Sequence, residues 1–201
     1  MRALVPAYFR DHPAFAKADT NNDGCLQWEE VIHVELSHLI YGDFMDANAD
    51  PKLYTEITDT EKMVSVVEEY LDDYNATTTK KMPLVMFVDA VGHVARISRI
   101  VRQPLGNALL LGVGGSGRQS LTRLAASMSE FDCFQIEITK TYGKIEWKDD
   151  LKKLLFKSGD EGKSVVFLFS DTQIVKESFL EDIKCACPPT LTLTRTLNLI
   201  I

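Results

Sequence analysis

The stretch Gly112, Val113, Gly114, Gly115, Ser116, Gly117, Arg118, Gln119, Ser120 constrains the fold more than any other part of the chain. It follows a continuously apolar run, Ala108-Leu-Leu-Leu-Gly-Val113, and precedes a helical pattern that extends from Gln119 to about Met128. A short apolar run closed by glycines predicts a strand buried on both faces of a parallel sheet. A glycine-rich turn between strand and helix lets backbone N–H groups converge on an anion, and the helix N-terminus adds a favourable dipole. Gly112 and Gly117 match the phosphate-loop pattern G-x-x-x-x-G-K-[ST], but Arg118 replaces the lysine and Gln119 the hydroxyl residue. Arginine keeps the charge and can grip phosphate with two donors, although its fork is bulkier than an ammonium. Ser120 is no simple substitute for the missing hydroxyl, because one step along a helix turns a side chain by about 100°. Gln119 offers an amide oxygen, a weaker magnesium ligand than a carboxylate. The alternative is a glycine-rich turn that holds no ligand.

A nucleotide site of this kind needs an acidic residue at the tip of a neighbouring strand. Asp171, which ends Val165-Val-Phe-Leu-Phe-Ser-Asp171, is suited to hold Mg²⁺ through water. Hydrolysing sites usually carry a glutamate next, and Thr172 stands there instead, a side chain that is no base near neutral pH. Asp171 as an ordinary strand-end turn residue is the alternative. Between the two halves, Phe134-Gln-Ile-Glu-Ile138 alternates like a strand and Lys148 to Phe156 reads as an amphipathic helix. The order strand, helix, strand, helix, strand predicts an α/β fold, a parallel sheet joined by right-handed crossovers with helices on both faces.

The region before the loop is helical. Met63, Val66, Val67, Tyr70 and Leu71 recur at helical spacing from Thr60 to about Tyr74, and Thr58-Asp-Thr-Glu61 has the form of a capping box. After a polar break and Pro83, a second helical pattern extends from Leu84 to about Val101. The tail from Cys185 to Ile201 has no periodicity that ties it to the sheet and reads as irregular.

Charge narrows the function. A formal charge of −7 argues against an electrostatic grip on nucleic acid or anionic membrane. No apolar run approaches the roughly 20 residues of a membrane span. Four irregularly spaced cysteines suit a reduced, intracellular protein better than a disulfide framework. His12, His33, His38 and His93 show no metal-ligand spacing with them.

Near the start, Asp19-Thr-Asn21-Asn-Asp23-Gly24-Cys25-Leu-Gln27-Trp-Glu-Glu30 fits the calcium-loop pattern D-x-[DN]-x-[DN]-G-x₅-E. Asp19, Asn21 and Asp23 would supply side-chain oxygens, Cys25 its backbone carbonyl, Gln27 a direct or water-mediated contact, and Glu30 both carboxylate oxygens to Ca²⁺. Pro13 in the entering helix and the lack of a second matching loop argue for a plain acidic turn. A calcium-responsive interaction module is the alternative function.

Long strings of the chain resemble the fourth AAA+ module of axonemal dynein heavy chains. They include Tyr41-Gly-Asp-Phe-Met-Asp46, Gly106 to Ala125 with the Gly-Arg-Gln-Ser loop, Val166-Phe-Leu-Phe-Ser-Asp-Thr-Gln-Ile174 and Phe179-Leu-Glu-Asp-Ile183. The resemblance covers roughly Leu39 to Ile183. It implies a piece of a ring-shaped ATP-driven motor, with ATP or ADP and Mg²⁺ at a regulatory, weakly or non-hydrolysing site and no catalytic residue. It implies neighbouring AAA+ modules and other axonemal dynein subunits as partners, microtubules only through the full-length motor, and a place in the cytoplasm, the cytoskeleton and the axoneme of a cilium or flagellum. The expected organisation is a helix–loop–helix over 1–38, a helical segment over 39–101, a partial AAA+ module over 102–184 and the tail over 185–201.

Overall fold

This computed structural model describes residues 40–47, 49, 51–103, 106–186 and 197–200, and those from Tyr41 on belong to one unit. A short antiparallel pair comes first, β1 (Tyr41–Gly42) against β2 (Thr55–Glu56). Helix α1 (Thr60–Thr77) follows. Its cap is Asp59, not the expected Thr58: the Asp59 carboxylate accepts from the backbone N–H of Lys62 at 2.9 Å. A carboxylate there satisfies a free donor and also meets the positive end of the helix dipole. Met63, Val67 and Leu71 form its buried stripe.

Past α1 no helix or strand forms up to Phe87, and α2 spans Val88–Arg102, so the helix starts four residues later than Leu84. Asn75 explains the delay. Its Oδ1 accepts from Met82 N at 2.7 Å and its Nδ2 donates to Met82 O at 3.1 Å, holding that residue as a strand partner would. Helix α3 (Arg118–Met128) packs on α2 and buries Leu124, Ala125, Ala126 and Met128. The Ser98 and Ser129 hydroxyls, both buried, pair with each other at 3.2 Å.

The remaining elements are β3 (Asp132–Phe134), α4 (Lys144–Gly159), β4 (Val165–Leu168), a single 3₁₀ turn (Asp171–Gln173), α5 (Ser178–Ala186) and β5 (Leu197–Ile200). The three strands form one sheet in the order β3-β4-β5, parallel throughout, with Asp132 opposite Val165 and Val165 opposite Leu197. Side chains alternate along a strand. Val165, Phe167 and Phe169 face a core with Trp147 and Leu154 of α4 and Phe179 and Ile183 of α5. Val166 and Leu168, also buried, turn to the opposite face, and α3 contacts β4. Trp147 stacks on Phe179 with ring centres 4.4 Å apart, and its indole N–H donates to Asp182 Oδ2 at 3.0 Å.

The α/β class and the parallel sheet agree with the sequence, but the strand membership does not. Ala108–Val113 is not a strand. Ala108 makes an isolated bridge, while Leu109, Leu111 and Val113 are 65%, 82% and 82% exposed. The tail, expected to be irregular, supplies β5 instead. With β3 on one edge of β4 and β5 on the other, β4 has no edge left for the glycine-rich segment to join. The predicted strand at Phe134–Ile138 lies two residues earlier, at Asp132–Phe134, and the Ile136 carbonyl bonds a side chain rather than a strand.

Candidate functional site

The glycine-rich segment forms a tight turn into α3 although the strand before it is absent. Gly117 opens α3 in the left-handed region, φ 75°, and Gly115 has φ 81°. Side chains other than glycine adopt these angles at a cost of about 1 kcal/mol or more. A Cβ built on Gly114, Gly115 or Gly117 would meet nothing within 4 Å, so one side of the loop is open. The turn closes through Ser116 N to Val113 O at 3.3 Å, and Leu121 N donates to Gly117 O at 2.9 Å.

Arg118 folds back on its own loop. Its Nη1 donates to Leu110 O at 3.0 Å and its Nη2 to Val113 O at 3.3 Å. A guanidinium fork can bridge two carbonyls in this way, whereas an ammonium is a point charge. These are backbone acceptors that strand pairing would otherwise use. Gln119 Oε1 accepts from Gln135 Nε2 at 3.4 Å, and Gln135 Oε1 in turn accepts from Arg123.

Asp171 begins the turn that leaves β4. Its Oδ1 accepts from Thr172 N at 2.9 Å, and the Ser170 and Thr172 hydroxyls pair at 2.9 Å. Gln173 locks this turn. Only 6% exposed, it accepts from Ser170 N at 2.8 Å and donates to Ile136 O at 2.6 Å. Neither Gln173 nor Gln135 stands out in the sequence as a site residue. The available signal was an amide, Gln173, two residues after the candidate carboxylate and just before Ile174 and Val175.

A cleft of about 180 Å³ joins the two halves, lined by Leu109–Leu111, Arg118, Gln119 and Leu168–Asp171. Three predicted residues, Arg118, Gln119 and Asp171, meet there, while the predicted residues 112–117 and Ser120 do not line it. Pockets that enclose a whole small molecule measure roughly 300–1,000 Å³. This one suits the phosphate and metal end of a ligand. The donors fit Mg²⁺, a hard cation that takes oxygen from one or two carboxylates and completes its shell with water and phosphate. Among the described residues no three His, Cys, Asp or Glu side chains converge as a metal cage.

The family model for the P-loop containing dynein motor region D4 matches residues 82–187, which include the loop, the cleft and Asp171. The chain belongs to the dynein heavy chain family. It is 57% identical over 159 residues to human dynein axonemal heavy chain 1, a match that covers 78% of this chain and 4% of that protein. Human dynein axonemal heavy chain 6 is 52% identical over 147 residues, 72% of this chain and 4% of its own length. Mouse dynein axonemal heavy chain 3 is 48% identical over 154 residues, 77% of this chain and again 4% of its own length. The chain thus spans a small fraction of the dynein heavy chains it matches. No helix among the described residues is long and apolar enough to cross a membrane. The acidic loop Asp19–Glu30 lies outside the described residues and outside the matched D4 region, and nothing found here supports calcium binding.

Proposed function

We propose that the Gly112–Ser120 loop binds ATP or ADP with Mg²⁺ as a regulatory, weakly or non-hydrolysing site of an axonemal dynein ring. The observation that carries this reading is the cleft. The Arg118 cation, the Gln119 amide oxygen and the Asp171 carboxylate converge on a space the size of a phosphate terminus, and the open glycine backbone leads directly into Arg118. Arg118 and the α3 N-terminus supply positive charge for phosphate, and Asp171 and Gln119 would hold Mg²⁺, directly or through water. The metal would neutralise phosphate charge. Thr172 follows Asp171, so the turn provides no general base for an attacking water. Binding without rapid turnover fits that chemistry. The relatives named axonemal support a location in the axoneme of a cilium or flagellum, where neighbouring AAA+ modules and other dynein subunits would be the partners. The microtubule would be reached only through the whole motor.

Titration calorimetry of the chain with Mg-ATP tests the proposal. Saturable binding at micromolar levels is expected. Replacing Arg118 and Asp171 together with alanine should abolish it. A folded chain that gives no heat with ATP or ADP would overturn it.

A further inference from the structure

The two sides of the cleft are tied to adjacent residues of one segment. Gln173 anchors the Asp171 turn to the carbonyl of Ile136, and Gln135, one residue earlier, donates to Gln119 on α3. We infer that Gln173 is a positioning residue for Asp171, and that the Gln135–Ile136 segment leaving β3 sets the spacing between the two cleft-lining residues that would hold Mg²⁺, Gln119 and Asp171. This rests on the nucleotide reading proposed above.

The chemistry of Gln173 is specific. A turn that starts at Asp171, three residues past the strand, has little to fix it, because the ladder ends at Leu168. Gln173 supplies both missing functions, an acceptor for Ser170 N on its own turn and a donor to the neighbouring segment. Its burial keeps water from competing for either bond. Glutamate at this position would retain the acceptor and lose the donor; methionine would match the length and lose both. On the other side, Arg123 holds the Gln135 oxygen, which turns the Gln135 NH₂ toward Gln119 and so selects the Gln119 oxygen as the atom on that side. Groups that orient a metal's ligands without touching the metal change metal affinity by roughly 10–100-fold when removed.

The test measures ATP affinity of the full 201-residue chain twice, with Mg²⁺ and with EDTA, and takes the ratio. The glycine loop and Arg118 act in both conditions, whereas Asp171 acts chiefly through the metal. Gln173→Met should reduce the Mg²⁺ enhancement about tenfold and leave the EDTA affinity within about twofold. Gln173→Glu should fall between wild type and Gln173→Met. Because Gln173 acts through Asp171, Gln173→Met combined with Asp171→Asn should lose no more enhancement than Asp171→Asn alone. Circular dichroism reports folding, and if Gln173→Met fails to fold, Gln173→Glu and Gln135→Leu carry the test, with a reduced ratio expected for each. An unchanged ratio, equal losses in both conditions, or additive losses in the double variant would overturn the inference while leaving nucleotide binding intact. A wild-type ratio near one would do the same. A wild-type chain that binds no ATP in either condition would overturn the nucleotide reading and this inference together.

Discussion

Val165–Phe169 and Leu109–Val113 are apolar stretches of equal length that end beside the same cleft, and they live in opposite surroundings. Every residue of the first is buried. It has a parallel strand on each edge and aromatic side chains of α4 and α5 on one face. The second exposes Leu109, Leu111 and Val113, and the carbonyls of Leu110 and Val113 accept from Arg118 rather than from a strand. An apolar run is a demand for partners, and both edges of β4 are already taken by Asp132–Phe134 and Leu197–Ile200. Unpaired apolar backbone of this kind is the hazard that sheet edges normally guard against.

This contrast is open to attack from its strongest member. Phe179→Ala removes the ring stacked on Trp147 and should destabilise the chain by about 3–5 kcal/mol, read as a lower denaturation midpoint in urea. A loss under about 1 kcal/mol would mean that α5 is not docked as described. Asn75→Ala breaks both bonds to Met82 and should cost about 1–3 kcal/mol, because it leaves partly buried backbone groups unpaired. Asp59→Ala should cost about 1 kcal/mol through loss of the α1 cap, whereas Thr58→Ala should change little. At the weak end, Leu111→Ser should alter stability by less than about 0.5 kcal/mol, as for other exposed positions. It should also make the chain more soluble. A large destabilisation from Leu111→Ser would show that Ala108–Val113 is paired in solution after all.

Tyr142 sharpens the same contrast through pH. Burial, and then the hydrogen bond its hydroxyl donates to Asp150 at 2.8 Å, push its ionisation well above the ordinary tyrosine value. The unfolded chain loses this proton near pH 10 while the folded chain keeps it. Stability is therefore whole below about pH 10 and declines as pH rises above it. Tyr142→Phe should flatten that decline in an alkaline series of thermal melts, and an unchanged slope would show that other groups cause it.

The local signals in the sequence were strong where one stretch of chain decides the outcome. Helical spacing at Met63, Val67 and Leu71 and the glycine spacing at Gly112 and Gly117 were enough to predict α1 and the loop before α3. Arg118, Gln119 and Asp171 were expected together at the ends of two apolar strands, and they line one cleft although only the strand before Asp171 forms. What the sequence did not disclose depends on contacts distant in the chain. The β5 strand, repeating Leu without strict alternation, shows its role only against β4, about thirty residues earlier. Gln173 matters because of the Ile136 carbonyl, 37 positions away. The start of α2 moved because a side chain seven residues back, Asn75, captured Met82.

The stacked Trp147–Phe179 pair has a practical consequence for optical work. The chain has two tryptophans, Trp28 and Trp147. The second is fully buried, lies flat on a ring of α5, and donates its N–H to a carboxylate of that same helix. Its emission should therefore respond to release of α5 from the sheet. In Trp28→Phe protein it becomes a single intrinsic reporter, and stopped-flow emission can time the docking of that last helix without any added dye.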